Sequence, residues 1–335
     1  MLCAAPTFLR ADGIDGQVAS FPVTATTGQL GAPTYVSGPS NSLGMGSLNN
    51  QFLYVTDFGR AGQPAVDVWS IDVSTGGLTP STPFPLTGIS VAAGLAVNSG
   101  NQVVYVADVG RIDALKAELT TGALTPITGS PFASGSNLYL TLDPQNRFLF
   151  ASVIDPPGAV AAFTVDSTSG ALTPVPGSPF PLNPVSMSDT MPGQVVVDSS
   201  GKFVFATAVN NSAVAAFSID TSSGVLTAVP GSPFNAGTHP LSLATAYSFL
   251  YVANTGDGTL SGYKIDSTTG VLTPLTGSPF AIPAATLAVD AYGPYLYVSG
   301  TGGMSAYKID GTNGALTQIG STIPYSGATV MAVSL

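Results

Sequence analysis

A twelve-residue phrase, written several times at nearly constant spacing, limits what this chain can fold into more than any other feature. Its clearest copy is TGVLTPLTGSPF at residues 269–280. Full copies recur at 121–132 (TGALTPITGSPF), at 169–180 (SGALTPVPGSPF) and, with Ala228 in place of proline, at 223–234. Degraded copies surround Leu30, Leu78 and Leu316. With the leucine as marker, the copies fall at Leu30, Leu78, Leu124, Leu172, Leu226, Leu272 and Leu316, spaced by 48, 46, 48, 54, 46 and 44 residues. A period of this size in strand-rich units marks a propeller, because no single unit can bury its faces without neighbours.

The order of elements within a unit is legible from residue 241 onward. Residues 241–244 form a short apolar strand, Tyr247 and Ser248 a turn, and 249–253 (FLYVA) a buried strand. A Gly/Asn/Asp loop at 254–258 leads to the alternating strand 260–265, and the outermost strand begins at Leu272. These four antiparallel strands make one blade, so the chain reads as an all-β, seven-bladed propeller occupying residues 1–335 as a single domain. An aromatic recurs in register on the second strands, at Tyr54, Tyr105, Phe150, Phe205, Tyr251 and Tyr297, placed to pack between blades. Third strands carry Trp69, Phe163, Phe217, Tyr263 and Tyr307 in the same way, and Gly122, Gly170, Gly224, Gly270 and Gly314 are suited to positive φ in the turns that follow. The first unit lacks an inner strand, and residues 329–335 (TVMAVSL) supply one, stitching a blade from both termini and removing two sheet edges.

Composition narrows the function. Charged residues are only 8% of the chain, and the formal charge of -10 comes from 18 acids against 8 Lys and Arg, which leaves no basic stripe for nucleic acid. Cys3 is alone, so neither an intramolecular disulfide nor a cysteine metal site can form. No run approaches the roughly 20 apolar residues of a membrane helix. The lysine-poor, Ser/Thr/Gly-rich surface points to an extracytoplasmic protein whose leader is not part of this chain.

In such a propeller, the loops entering the inner strands and those joining second to third strands gather around the mouth of the central channel. The expected partner, a small molecule or a protein, would bind there. The loop at 180–194, longer than its counterparts, belongs to this face and carries Met187, Asp189 and Met191. So does His239, the only histidine and the one group suited to acid-base work near neutral pH. Asp57-Phe58-Gly59-Arg60 and Asp108-Val109-Gly110-Arg111 match each other and bring Arg60 and Arg111 to the face as donors for a carboxylate or oxyanion, with Arg10 expected to join them. The alternative for each pair is an ion pair that closes its own loop. Asp155, Asn210, Asn211, Asn254 and Asp257 occupy equivalent loops. Their oxygens could hold Ca²⁺, but turn formation is the better account, and no cofactor or metal site is expected. The candidate set is thus His239, Arg60 and Arg111 for catalysis, and Asp57, Asp108, Asp189, Asn254 and Asp257 for ligand binding.

Tyr54-Val55-Thr56-Asp57 and Tyr251-Val252-Ala253-Asn254, each followed by a loop and an aromatic-x-Ile-Asp strand, look like the YVTN-type repeat. With the recurring TG-x-LTP phrase, the chain resembles the seven-bladed lactonase-like propellers, the group of 6-phosphogluconolactonase-type proteins. That resemblance implies a lactone hydrolase. Enzymatic members place a histidine on the inner strand before the Asp-Leu-Gly loop that Asp108-Val109-Gly110 resembles. The matching stretch at 90–97 has none, and Glu118 and the sparse arginines do not reproduce the family set. Two readings follow: a binding or interaction propeller on a lactonase-like scaffold, or a hydrolase of an unphosphorylated lactone.

Overall fold

The computed structural model describes residues 7–13, 15–39, 42–58, 63–88, 91–182, 191–282, 286–325 and 328–334. It has seven antiparallel sheets arranged as the blades of a propeller. Blades are numbered here by their second strands, in chain order. Thus the third blade contains Leu95–Asn98, Val103–Asp108, Arg111–Ala117 and Leu124–Pro126 from the axis outward. The first blade contains Ala328–Ser334, Thr7–Gly13, Gln17–Val23 and Thr34–Ser37, so the C-terminal strand is its inner member. That strand pairs antiparallel with the N-terminal one from Phe8↔Ser334 to Gly13↔Ala328, as the sequence predicts.

The repeated phrase has a structural meaning that its sequence conceals. Its Leu-Thr-Pro forms only a short outer strand, such as Leu124–Pro126, against the lower half of the third strand. The chain then bulges outward and returns at Phe132–Ala133 to pair with the upper half of the same strand. The bulge leaves a third-strand N–H without a strand partner, and the serine of Gly-Ser-Pro-Phe satisfies it. Ala114, Ala162, Ala216 and Gly262 donate their N–H to Ser130, Ser178, Ser232 and Ser278 Oγ, each at 2.9 Å. Blades two to six therefore carry a fifth short strand. In the seventh, where the phrase has become Leu-Thr-Gln-Ile-Gly-Ser-Thr-Ile, one unbroken outer strand spans Leu316–Ile323.

The glycine at the head of the phrase joins the blades. Gly122, Gly170, Gly224, Gly270 and Gly314 all have φ between 72° and 78°. Their turns are held by an acid that accepts the N–H groups two and three residues on: Asp166 from Thr168 and Ser169, Asp220 from Ser222 and Ser223. Glu118 takes the acid's place in the third blade, one residue past the third strand, and its hydrogen bonds with Thr121 and Thr120 hold its carboxyl down at about 2. At four of the seven seams the glycine at this position turns its carbonyl toward the preceding blade, where a second-strand tyrosine reaches it. Tyr54 donates to Gly122 O at 3.1 Å, Tyr105 to Gly170 at 2.8 Å, Tyr251 to Gly314 at 2.7 Å, and Tyr297 across the closing seam to Gly28 at 3.4 Å. These rings, with Phe150 and Phe205, are wholly buried.

Arg10 is a correction to the sequence reading. It does not lie on the channel-mouth face but occupies the aromatic position of the first blade's second strand, fully buried. Its Nη1 donates to Gly76 O and Ser20 Oγ as the tyrosines do elsewhere. The guanidinium stands over the Phe8 ring at 5.1 Å, and burial lowers its pKa to about 10.

Two outcomes follow. Removing residues 328–335 strips the first blade of its inner strand and bares the edge of Thr7–Gly13 that it covers, so the truncated chain should lose its cooperative melt or aggregate. Gly122→Ala should cost about 1–3 kcal/mol in left-handed strain alone, and more because its Cβ would lie 2.4 Å from the Phe52 ring. Gly110→Ala, with φ 83° but nothing within 4 Å, should cost only the strain, and chemical denaturation of both variants reads the difference.

Candidate functional site

The loops around the channel mouth are braced from within. The last residue of each second strand has the opposite parity to the buried aromatic, so it points back toward the preceding blade. In the third blade this residue is Asp108. Its Oδ1 accepts the N–H of Val91 at 3.3 Å, tying the loop that enters the inner strand. Arg111 then closes the loop: Nε lies 3.6 Å from Asp108 Oδ2 and 3.0 Å from Asp113 Oδ2, while Nη2 donates to Thr87 O at 2.7 Å. Burial raises the Asp113 pKa, and Arg111 opposes that shift.

The same bracing recurs with different residues. Asp155 accepts the Ser136 N–H at 2.8 Å, and Asp257 the Thr238 N–H at 2.8 Å. Asp257 Oδ1 also holds the hydroxyl and N–H of Thr259. Partial burial works against ionisation of Asp257, yet these donors bring its pKa below the usual carboxylate range. Asn254, fully buried, donates to Thr259 Oγ1 and Ser261 Oγ, both at 2.9 Å. His239 is exposed with φ 51°, and its carbonyl accepts from Thr255 N–H and hydroxyl. The structure thus gathers His239, Asn254 and Asp257 into one blade's loops and leaves Asp108 and Arg111 in another. Arg60 and Asp189 lie outside the described residues. Asn210 and Asn211 sit in a short 3₁₀ turn, and among the described residues no three His, Cys, Asp or Glu side chains come together as a metal site.

Asp57 belongs to a buried acidic group between the first two blades that the sequence reading missed. Asp12, Asp57 and Asp67 are each less than 5% exposed. Asp12 projects from the second strand of the first blade toward the second blade, while Asp57 and Asp67 project the other way, so the three face each other. Ser42 donates to Asp12 Oδ2, and Oδ1 has no hydrogen-bond partner among the described residues. Burial, reinforced by Asp15, Asp57 and Asp67 against the Ser42 bond, pushes the Asp12 carboxyl up to about 7. The missing signal was parity: Asp12 and Asp57 are one register step apart in their strands, which only the pairing reveals.

The channel itself narrows to a cavity of about 30 Å³ lined by Leu43, Tyr139, Gln194, Ser242, Val289 and Met331 among others. That is room for about one water molecule. Gln194 Oε1 accepts from Ser242 Oγ at 2.8 Å and from Leu243 N–H at 2.7 Å, and Ser242 Oγ accepts the Val289 N–H at 3.1 Å, so polar groups link the inner strands of blades five, six and seven. Burial pushes the Tyr139 phenol up to about 12. None of the sequence candidates lines this waist, because the residues that face the axis lie on inner strands too short to carry a period.

Fold and site together define a seven-bladed propeller with internally braced loops around a nearly closed channel. The model of the family described as "Lactonase, 7-bladed beta-propeller" matches residues 159–289. Among solved structures, a candidate 6-phosphogluconolactonase from Bacteroides uniformis superposes with a TM-score of 0.82 at 17% identity, covering 99% of this chain and 100% of that one. A second, from Bacteroides fragilis, gives 0.80 at 18%, covering 100% and 99%. The periplasmic gluconolactonase PpgL of Pseudomonas aeruginosa gives 0.80 at 14%, covering 99% of each chain. No curated protein shows significant sequence similarity to the chain. The chain has the seven-bladed propeller fold of these structures, and its residues 159–289 resemble the lactonase family model.

Asp12 has a measurable signature. Its folded pKa of about 7 lies above the unfolded value near 3.9, so the folded state holds a proton that the unfolded state has released. The associated stability is fully present below about pH 4 and is lost as pH rises through about 7. Asp12→Asn should therefore flatten the fall in melting temperature between pH 4 and 8, a window above the range where Asp72, Glu118 and Asp220, all held at about 2, titrate. The wild-type loss should be on the order of 2–4 kcal/mol.

Proposed function

We propose that the chain is an extracytoplasmic binding or interaction propeller that uses the lactonase-like scaffold without lactone hydrolysis. One observation carries this reading: Arg111, the described arginine placed to steady an oxyanion at the mouth, already spends its guanidinium on Asp108, Asp113 and the Thr87 carbonyl. An oxyanion donor must be aimed at the position where charge develops, and redirecting Arg111 would leave two largely buried carboxylates without their cation. His239 stands exposed in a blade that brings no arginine to it. The lysine-poor, hydroxyl-rich surface supports the extracytoplasmic setting.

The competing reading is a hydrolase of an unphosphorylated lactone, favoured by the names of the structural neighbours, which include a gluconolactonase. A phosphorylated lactone fits less well, since a chain of net charge -10 repels it.

A panel of unphosphorylated lactones, followed by proton release, separates the two. The binding reading expects no turnover above buffer, or turnover indifferent to His239→Ala and Arg111→Ala. A drop of about a hundredfold or more in either variant, the usual cost of losing one catalytic donor, would establish the enzyme instead.

A further inference from the structure

The face opposite the channel mouth carries a feature that the repeat makes visible. The turn between inner and second strands uses a left-handed residue in blades two to seven: Asn50 (φ 54°), Gln102 (54°), Asn146 (56°), Gly201 (70°), Tyr247 (53°) and Gly293 (55°). Asparagine and glycine suit that conformation, whereas a bulky aromatic there is strained. Tyr247 is nevertheless 51% exposed, so burial does not explain the choice.

A second departure from the repeat lies against it. The residue after the acid in the turn between third and outer strands is Val73, Leu119, Ser167, Thr221 or Ser267 in blades two to six, but Gly311 in the seventh. Gly311 is not among the glycines with positive φ, so its backbone does not require glycine. A Cβ there would stand 3.8 Å from the Tyr247 ring. The chain has raised a ring and removed the side chain beside it.

Together these changes open a groove of about 470 Å³ bounded by Tyr247, Pro294, Lys308, Asp310, Gly311 and Thr317. On the other side of the ring lies a hollow of about 150 Å³ with Lys202, Ser200, Ser248 and Ser267 on its walls. Among the described residues, neither lysine makes an ion pair within 4.0 Å. Thr312 occupies Asp310 Oδ1 with its N–H and hydroxyl, the Asn313 N–H adds a weaker bond, and the nearby Lys308 ammonium further favours the exposed carboxylate.

We propose that this rim binds a linear neutral glycan, one pyranose stacking its C–H face on Tyr247 and its neighbours lying in the two hollows. An adjacent ammonium donor and carboxylate acceptor complement a vicinal diol, and an exposed ring complements the apolar face of a sugar. Two hollows in line across one ring fit successive units of a chain better than one compact ligand. Asp198 and Asp310 offset Lys202 and Lys308, so the rim has no net charge to select a polyanion. The site is independent of whatever the channel mouth does.

The test is calorimetric titration of the full chain with cellohexaose, xylohexaose and chitohexaose, and with a hexagalacturonate as the charged control. At least one neutral hexasaccharide should bind. Tyr247→Asn, which restores the residue of blades two and four, should weaken it by about tenfold or more while leaving the melting temperature equal or higher, since the left-handed strain is relieved. Gly311→Ser should weaken it by filling the groove. The proposal fails if no neutral hexasaccharide binds, if only the charged oligomer binds, or if binding survives either Tyr247→Asn or Gly311→Ser.

Discussion

The molecule depends on a contact made between blades, in which a second-strand tyrosine buries its ring and donates its hydroxyl to the carbonyl of a left-handed glycine in the next blade. Buried rings contribute roughly 1.5–3 kcal/mol each and such hydrogen bonds about 1 kcal/mol. Their larger effect is geometric. A hydroxyl that must meet one particular carbonyl sets the height of each blade against its neighbour, and around a closed ring those heights must return to the start. Blades four and five, with Phe150 and Phe205, keep the packing and give up the bond. Arg10 keeps the bond by other means, but Nε and Nη2 are buried with no hydrogen-bond partner among the described residues.

The seam between the first two blades therefore differs from the others. It contains Arg10 in place of an aromatic, the acids Asp12, Asp57 and Asp67, and the sheet whose inner strand comes from the far end of the chain. Loss of hydration disfavours every one of these charges, and Asp12 responds by holding its proton toward neutrality. In a chain with so few charged residues, this concentration beside the stitched blade gives the seam between the first two blades a pH-sensitive carboxyl in Asp12.

Elsewhere the scarce charges are spent on local bracing. Asp108, Asp155 and Asp257 each tie the loop that enters an inner strand to the loop that leaves the second strand of the same blade, and Arg111 locks the first of these. A loop acid that accepts backbone N–H groups has part of its acceptor capacity already spent, and an arginine held by two carboxylates and a carbonyl is poorly placed to follow a substrate. Among the described residues the charged groups of the mouth are largely committed, which is the physical ground for proposing a binding surface there.

Much of the fold was legible in the residues. The spacing of the leucines set the number of blades, the FLYVA-type runs set the buried strands, and the orphan strand at the C-terminus announced the closure, because these depend on hydrophobic burial and turn chemistry that act over a few residues. The meaning of the Gly-Ser-Pro-Phe tail was not legible, since its serine bonds to a strand sixteen residues earlier and its phenylalanine returns to the same strand. Nor was the place of Arg10, which as a sequence neighbour of a loop looked like a surface cation and as a register position is a core residue. The grouping of Asp12 with Asp57, the commitment of Arg111 and the exposure of Tyr247 beside Gly311 all depend on which faces of adjacent blades meet. Local sequence determines what each blade is; only the closed ring, by setting the register between blades, decides which side chains are buried, paired or left to meet a ligand.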